Sequence, residues 1–156
     1  MESNSKVLCG CILIAVLTAS AGCGQKNAGL SDELVGEWHG RNVTTKIDGR
    51  PSETKTYSGR EFVMTFLPDG RFVDVDNGVP GETISITGSY EITKDHKLKE
   101  TVLDVTGPKI AQAMKGRTGI MDFTISSSQL TLVMHLVDQS GKSMGTTESN
   151  YVRAPK

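Results

Sequence analysis

The sequence predicts an all-β fold, an eight-stranded antiparallel up-and-down barrel with one short helix between strands 5 and 6. Three observations predict it. From Leu34 onward, apolar residues alternate with polar ones in short runs closed by turn residues, the pattern of an antiparallel sheet with one dry face per strand. Glycine, at 17 residues, outnumbers proline, at 5, and Thr, Ser and Val recur throughout, a balance suited to strands and turns rather than long helices. The connections between runs alternate between short and long, and in a meander alternate connections lie at opposite ends, so the barrel has one trimmed and one elaborated end, like a cup. A chain of 156 residues has room for one such core.

The eight runs fall at 34–46, 59–67, 71–76, 83–93, 98–106, 119–126, 130–137 and 146–153. Phe62, Met64 and Phe66 share one side of the second run, and Ile84, Ile86, Tyr90 and Ile92 share one side of the fourth. Met121, Phe123 and Ile125 form the dry face of the sixth, and Leu130, Leu132, Met134 and Leu136 that of the seventh. In the third run Asp74 and Asp76 alternate with Val73 and Val75, which reads as a solvated acidic face over an apolar one. Pro68-Asp69-Gly70, Lys94 to Lys97, and Ser127-Ser128-Gln129 supply the short turns; the connections around Asp48, Asn77 to Gly81, and Asp138 to Gly145 read as longer. Between the fifth and sixth runs, Pro108 opens and Gly116 closes a two-turn helix at 108–115, with Ile110, Ala113 and Met114 on one face to pack over the mouth.

Ahead of the barrel, Met1 to Lys6 is polar with one Lys, and Val7 to Ala19 is almost wholly apolar, the length of a signal-peptide core and short for a membrane span. The run ends in Leu17-Thr18-Ala19-Ser20-Ala21-Gly22-Cys23, which resembles the lipobox of bacterial lipoproteins. That resemblance implies a signal peptide at 1–22, lipid attachment at Cys23, and a protein held on a membrane of the bacterial cell envelope, at the outer membrane or its periplasmic face. Ala19-Ser20-Ala21 also fits an ordinary signal-peptidase site, so plain secretion is the alternative. Residues 23–33 are small and polar and read as a flexible tether, leaving 34–154 as the domain. Cys9 and Cys11 leave with the signal peptide, so the mature chain keeps one Cys and no internal disulfide.

Gly36-Glu37-Trp38 in the first strand resembles the Gly-x-Trp motif that opens lipocalins, and Arg153 stands where that family packs a basic residue on the tryptophan. The resemblance covers 34–153 and is to small bacterial lipoproteins with a lipocalin-like domain. It implies that Gly36, Trp38 and Arg153 are structural, with Trp38 and Arg153 meeting at the trimmed end in a cation–π contact.

Seventeen Lys and Arg against eighteen Asp and Glu leave a net charge of −1, which offers nucleic acid no basic surface. His39, His96 and His135 have no metal-ligand spacing, and Met64, Met121 and Met134 on inner faces read as core, so no metal site or cofactor is expected. Neither a Gly-x-Ser-x-Gly nor a His-Glu-x-x-His nor a phosphate-cradling pattern is present, and an enzyme is the least favoured class. Two classes remain. One is a barrel binding a small apolar or amphipathic ligand, with Phe62, Ile84, Ile86, Met121, Met134 and Leu136 as the inward ring nearest the mouth. The other is a structural or protein-interaction lipoprotein whose barrel is filled by its own side chains, its partner unspecified.

Overall fold

The computed structural model describes residues 28–138 and 140–155; the expected signal segment 1–22, Cys23 and the first part of the tether lie outside them. The described chain runs α1 (Ala28–Leu34), β1 (Gly36–Ile47), β2 (Glu53–Thr56), β3 (Phe62–Phe66), β4 (Arg71–Val79), β5 (Glu82–Ile92), β6 (Lys97–Thr106), α2 (Lys109–Gln112), β7 (Thr118–Ile125), β8 (Gln129–Val137) and β9 (Ser143–Arg153). Neighbouring strands pair antiparallel, and β1 closes the sheet on β9 from Trp38 opposite Arg153 to Ile47 opposite Gly145. The result is an eight-stranded closed barrel. β1 divides its other edge between two partners, Gly36 to His39 pairing with β3 and Asn42 to Thr45 with β2. The short β2, which periodicity does not announce, therefore lies end to end with β3 along that edge.

Both chain ends of the barrel meet at the end carrying the β3–β4, β5–β6 and β7–β8 turns. There Trp38, Phe66, Leu98 and Leu130 are fully buried, joined by Leu34 at the C-terminus of α1, and they fill this half as a floor. Burial of a side chain that size contributes about 1.5–3 kcal/mol, so five of them anchor the fold. Ala28–Leu34 differs from the tether expected at 23–33, because this stretch is helical. A seven-residue helix is marginal alone, and its exposed terminal carbonyls are what this end of the barrel satisfies. The indole Nε1 of Trp38 donates to the Leu34 carbonyl at 2.8 Å, and the Arg153 guanidinium donates to the Val35 carbonyl at 3.0 Å and to the Glu33 carbonyl. The same guanidinium lies 4.1 Å from the Trp38 ring centroid. Gly36 has φ +134°, and a Cβ there would come within 2.9 Å of the Arg153 guanidinium, which is why the residue two before the tryptophan carries no side chain.

Three expectations about the opposite end are corrected. The connection at 77–81 is no long loop: β4 continues to Val79 and β5 begins at Glu82, leaving Pro80 and Gly81 as a tight turn beyond an irregularity between Asp76 and Val79. The helix expected at 108–115 is one turn, Lys109–Gln112, followed by turn structure. Its buried residue is Ala111, while Ile110 is 84% exposed; of the three residues expected over the mouth, Met114 lines the interior. A salt bridge of 2.8 Å from Lys115 to Asp104 and a hydrogen bond from the Gly116 amide to the Val102 carbonyl hold this segment against β6.

The faces of β4 are the reverse of those expected. Phe72, Asp74 and Asp76 point inward and Val73 and Val75 outward, because the hairpin at Pro68–Gly70 sets Phe66 opposite Phe72, Met64 opposite Asp74 and Phe62 opposite Asp76. Directly opposed residues share a face, so the inward Phe62, Met64 and Phe66 carry the two aspartates in with them.

Candidate functional site

Above the floor the barrel encloses a cavity of about 170 Å³. Its apolar wall comes from Met64 on β3, Phe72 on β4, Ile86 on β5, Val102 on β6 and Leu132 on β8. Met114 and Met134 also line it, and at 41% and 38% exposed they mark where it opens to solvent. A bulge opposite Gly88 shapes the β6 wall, turning Val102 and Val105 both inward and leaving Leu103 57% exposed. Gly88 itself is required, since a Cβ there would run into the Thr101 carbonyl oxygen and the Phe72 ring.

Four of the six residues expected to ring the mouth line the cavity: Phe62, Ile86, Met121 and Met134. Ile84 and Leu136 do not. Ile84 packs beside the core near Gly107, and Leu136 sits opposite Gly145. The site holds polar residues that apolar periodicity passes over, namely Asp74 on β4, Glu100 on β6, and Thr147, Ser149 and Tyr151 on β9.

The two acids set the electrostatics. As whole residues both are half-buried, but Asp74 Oδ1 and Glu100 Oε1 are shut away from solvent and neither has a hydrogen-bond partner among the described residues. Burial raises the Glu100 carboxyl to about 7. The Asp74 carboxyl is held well above the usual carboxylate range, first by burial and then by the neighbouring charges of Glu100 and Asp76. Tyr151 is pushed up by burial and then by the charges of Asp74 and Glu100. Asp76 stands apart: its carboxyl accepts from Tyr57 Oη at 3.4 Å, from Lys55 at 3.5 Å and from the Gly78 amide at 2.7 Å. A buried carboxyl oxygen without a partner costs free energy in a filled protein interior, so two of them on a cavity wall are a chemical feature of that cavity.

The histidines lie elsewhere. His39 meets Glu37 at 2.6 Å on the outer face, and His135 meets Asp122 at 2.8 Å. Among the described residues no group of three or more His, Cys, Asp or Glu is placed to hold a metal ion, and no helix is long and apolar enough to cross a membrane. Comparison of the chain with protein-family models and with curated proteins gives no match.

Proposed function

We propose that this chain is a lipid-anchored lipoprotein of the bacterial cell envelope whose lipocalin-like barrel binds a small amphipathic molecule. The observation that carries the reading is the cavity itself: a half-filled barrel whose packed floor stops short of an opening lined by methionines. A space of about 170 Å³ suits one six-membered ring or a short chain, since a dry cavity of about 150 Å³ takes up benzene. Such a ligand has about eight heavy atoms, and micromolar affinity, about −8 kcal/mol, asks roughly 1 kcal/mol of each, inside the ceiling of about 1.5. Because the chain enters through α1 at the floor, an anchor at Cys23 turns the mouth away from the membrane toward periplasmic or extracellular molecules.

Four methionines, Met64, Met114, Met121 and Met134, line the cavity and make their methyl groups built-in reporters. Benzyl alcohol, a neutral probe of ring size, is expected to shift these methyl resonances saturably. Ile86→Trp or Met134→Trp fills the space and abolishes the response, whereas Glu91→Gln on the outer face leaves it intact. If wild-type methyls do not respond to benzyl alcohol, the reading gives way to a barrel that serves as a structural or protein-interaction module.

Anchoring is tested separately. The wild-type protein is expected to take up labelled acyl chains and sediment with membranes, and Cys23→Ser to lose both, because several chains at about 0.8 kcal/mol per buried CH₂ hold the protein and an unacylated one has no such anchor. A wild-type protein that is unlabelled and soluble points to plain secretion.

A further inference from the structure

We propose that Asp74 and Glu100 form the recognition point for an ammonium group, so that the barrel's ligand is a small organic amine with an apolar body. The inference rests on the reading of the barrel as a binding site and names the chemistry of its occupant. Among the described residues, Asp74 Oδ1 and Glu100 Oε1 are buried without partners in the cavity lining, and none of the residues lining that cavity is Lys, Arg or His. No cation lines the cavity, and the hydroxyls that do, on Thr147, Ser149 and Tyr151, make no hydrogen bond to these two oxygens. An ammonium carries three N–H donors on one atom, enough for one to each carboxyl and a third for a hydroxyl oxygen. The wall offers such oxygens on Thr147, Ser149 and Tyr151. The remaining wall is apolar, which suits the body of the ligand and selects against a fully hydrated ion.

The exchange is balanced in charge. Burial holds both acids toward the protonated form near neutrality, so the arriving ammonium ionises a carboxyl and a proton leaves to solvent. The other groups that act on the pair are Asp76 on β4, Tyr151 on β9, and Tyr57 with Lys55 beyond Asp76. Of these, Lys55 is the one cation, and its ammonium already faces Asp76 and the Tyr57 ring.

Benzylamine and benzyl alcohol match in size and differ in charge, and the full-length protein in phosphatidylcholine nanodiscs is titrated with each. Methionine methyl resonances report occupancy, and calorimetry in buffers of different ionisation enthalpy counts protons released. Benzylamine is expected to bind about tenfold or more tighter than benzyl alcohol at pH 8, to release a proton when it binds at pH 6, where the Glu100 carboxyl is still largely protonated, and to lose its advantage at pH 5. Asp74→Asn and Glu100→Gln together are expected to abolish the preference, read as the ratio of the two affinities in the same variant, while a urea midpoint no lower than wild type shows the variant to be folded. Binding of benzyl alcohol with no preference for benzylamine overturns the amine inference and leaves the binding barrel standing. Failure of both probes to move the methyls overturns both. Calcium ions that displace benzylamine and bind tighter overturn the amine in favour of a metal.

Discussion

Glu100→Gln is expected to stabilise the empty barrel by about 3 kcal/mol at pH 8 and to change it little at pH 4. The carboxyl moves from 4.5 to about 7 on folding, and each pH unit of that displacement is worth about 1.4 kcal/mol. Protonation thus favours the folded state. Its benefit is complete below about 4.5, is lost as the pH rises through about 7, and above that the wild type carries the whole cost of a buried charge. Wild-type stability should therefore fall between pH 5 and pH 8, where most proteins are flat, and urea unfolding at pH 4, 6 and 8 measures it. Glutamine keeps the shape and cannot ionise, so the variant's profile flattens. Asp74→Asn is expected to act in the same direction, because burial and the Glu100 and Asp76 charges all hold its carboxyl up. The surface acids Asp69, Asp104, Asp122 and Asp138 are held below the usual range by hydrogen bonds, to Arg71, Lys115, Lys97 and Ser140 respectively before all else, and their contribution is lost only in stronger acid. Identical profiles for wild type and variant would place Glu100 in water and remove the acid pair from the cavity.

The acids also show where sequence reasoning stops and why. Alternation identifies dry faces well when one parity is wholly apolar, as with Phe62, Met64 and Phe66 or Leu130 and Leu132, and these residues do face inward. In β4 both parities hold apolar residues, Phe72 on one and Val73 with Val75 on the other, so hydrophobicity alone favours the wrong face. The deciding signal lies across the turn. Once Pro68–Gly70 is read as tight, Phe72 must oppose Phe66, and Asp74 must then oppose the inward Met64. The same step through the Lys94–Lys97 turn puts Leu98 opposite Ile92 and Glu100 opposite the inward Tyr90. Beyond that point register fails as a guide, because the bulge at Leu103 shifts the parity of β6, and nothing local in the sequence marks it. The helix α1 is illegible for a different reason: its end is held by Trp38, just beyond it on β1, and by Arg153, more than a hundred residues on, and not by its own residues.

Those contacts make Trp38→Ala the most damaging single change expected outside the cavity. Trp38 is fully buried in the floor, and removing a side chain of that size from a core costs about 3–5 kcal/mol through lost burial and the void left behind. Two further losses follow from its partners: the Leu34 carbonyl loses its donor, and the Arg153 guanidinium loses the ring it lies on, 4.1 Å from the centroid. For a domain of this size the melting temperature should fall by roughly 10–20 °C, read by calorimetry or by unfolding in urea. Arg153→Met separates the contributions, since it keeps an apolar stem over the ring while removing the charge and the hydrogen bonds to the Val35 and Glu33 carbonyls. It is expected to cost about 1–3 kcal/mol and to fray α1, seen as faster amide exchange at Val35, whose amide bonds back to the Ser31 carbonyl. Trp38→Phe, which keeps most of the ring and drops the indole donor, should fall between wild type and Trp38→Ala. A loss below about 1 kcal/mol in Trp38→Ala would mean that the floor does not hold the barrel shut, and the Gly36-Glu37-Trp38 segment would then be a coincidence of sequence and not a closing device.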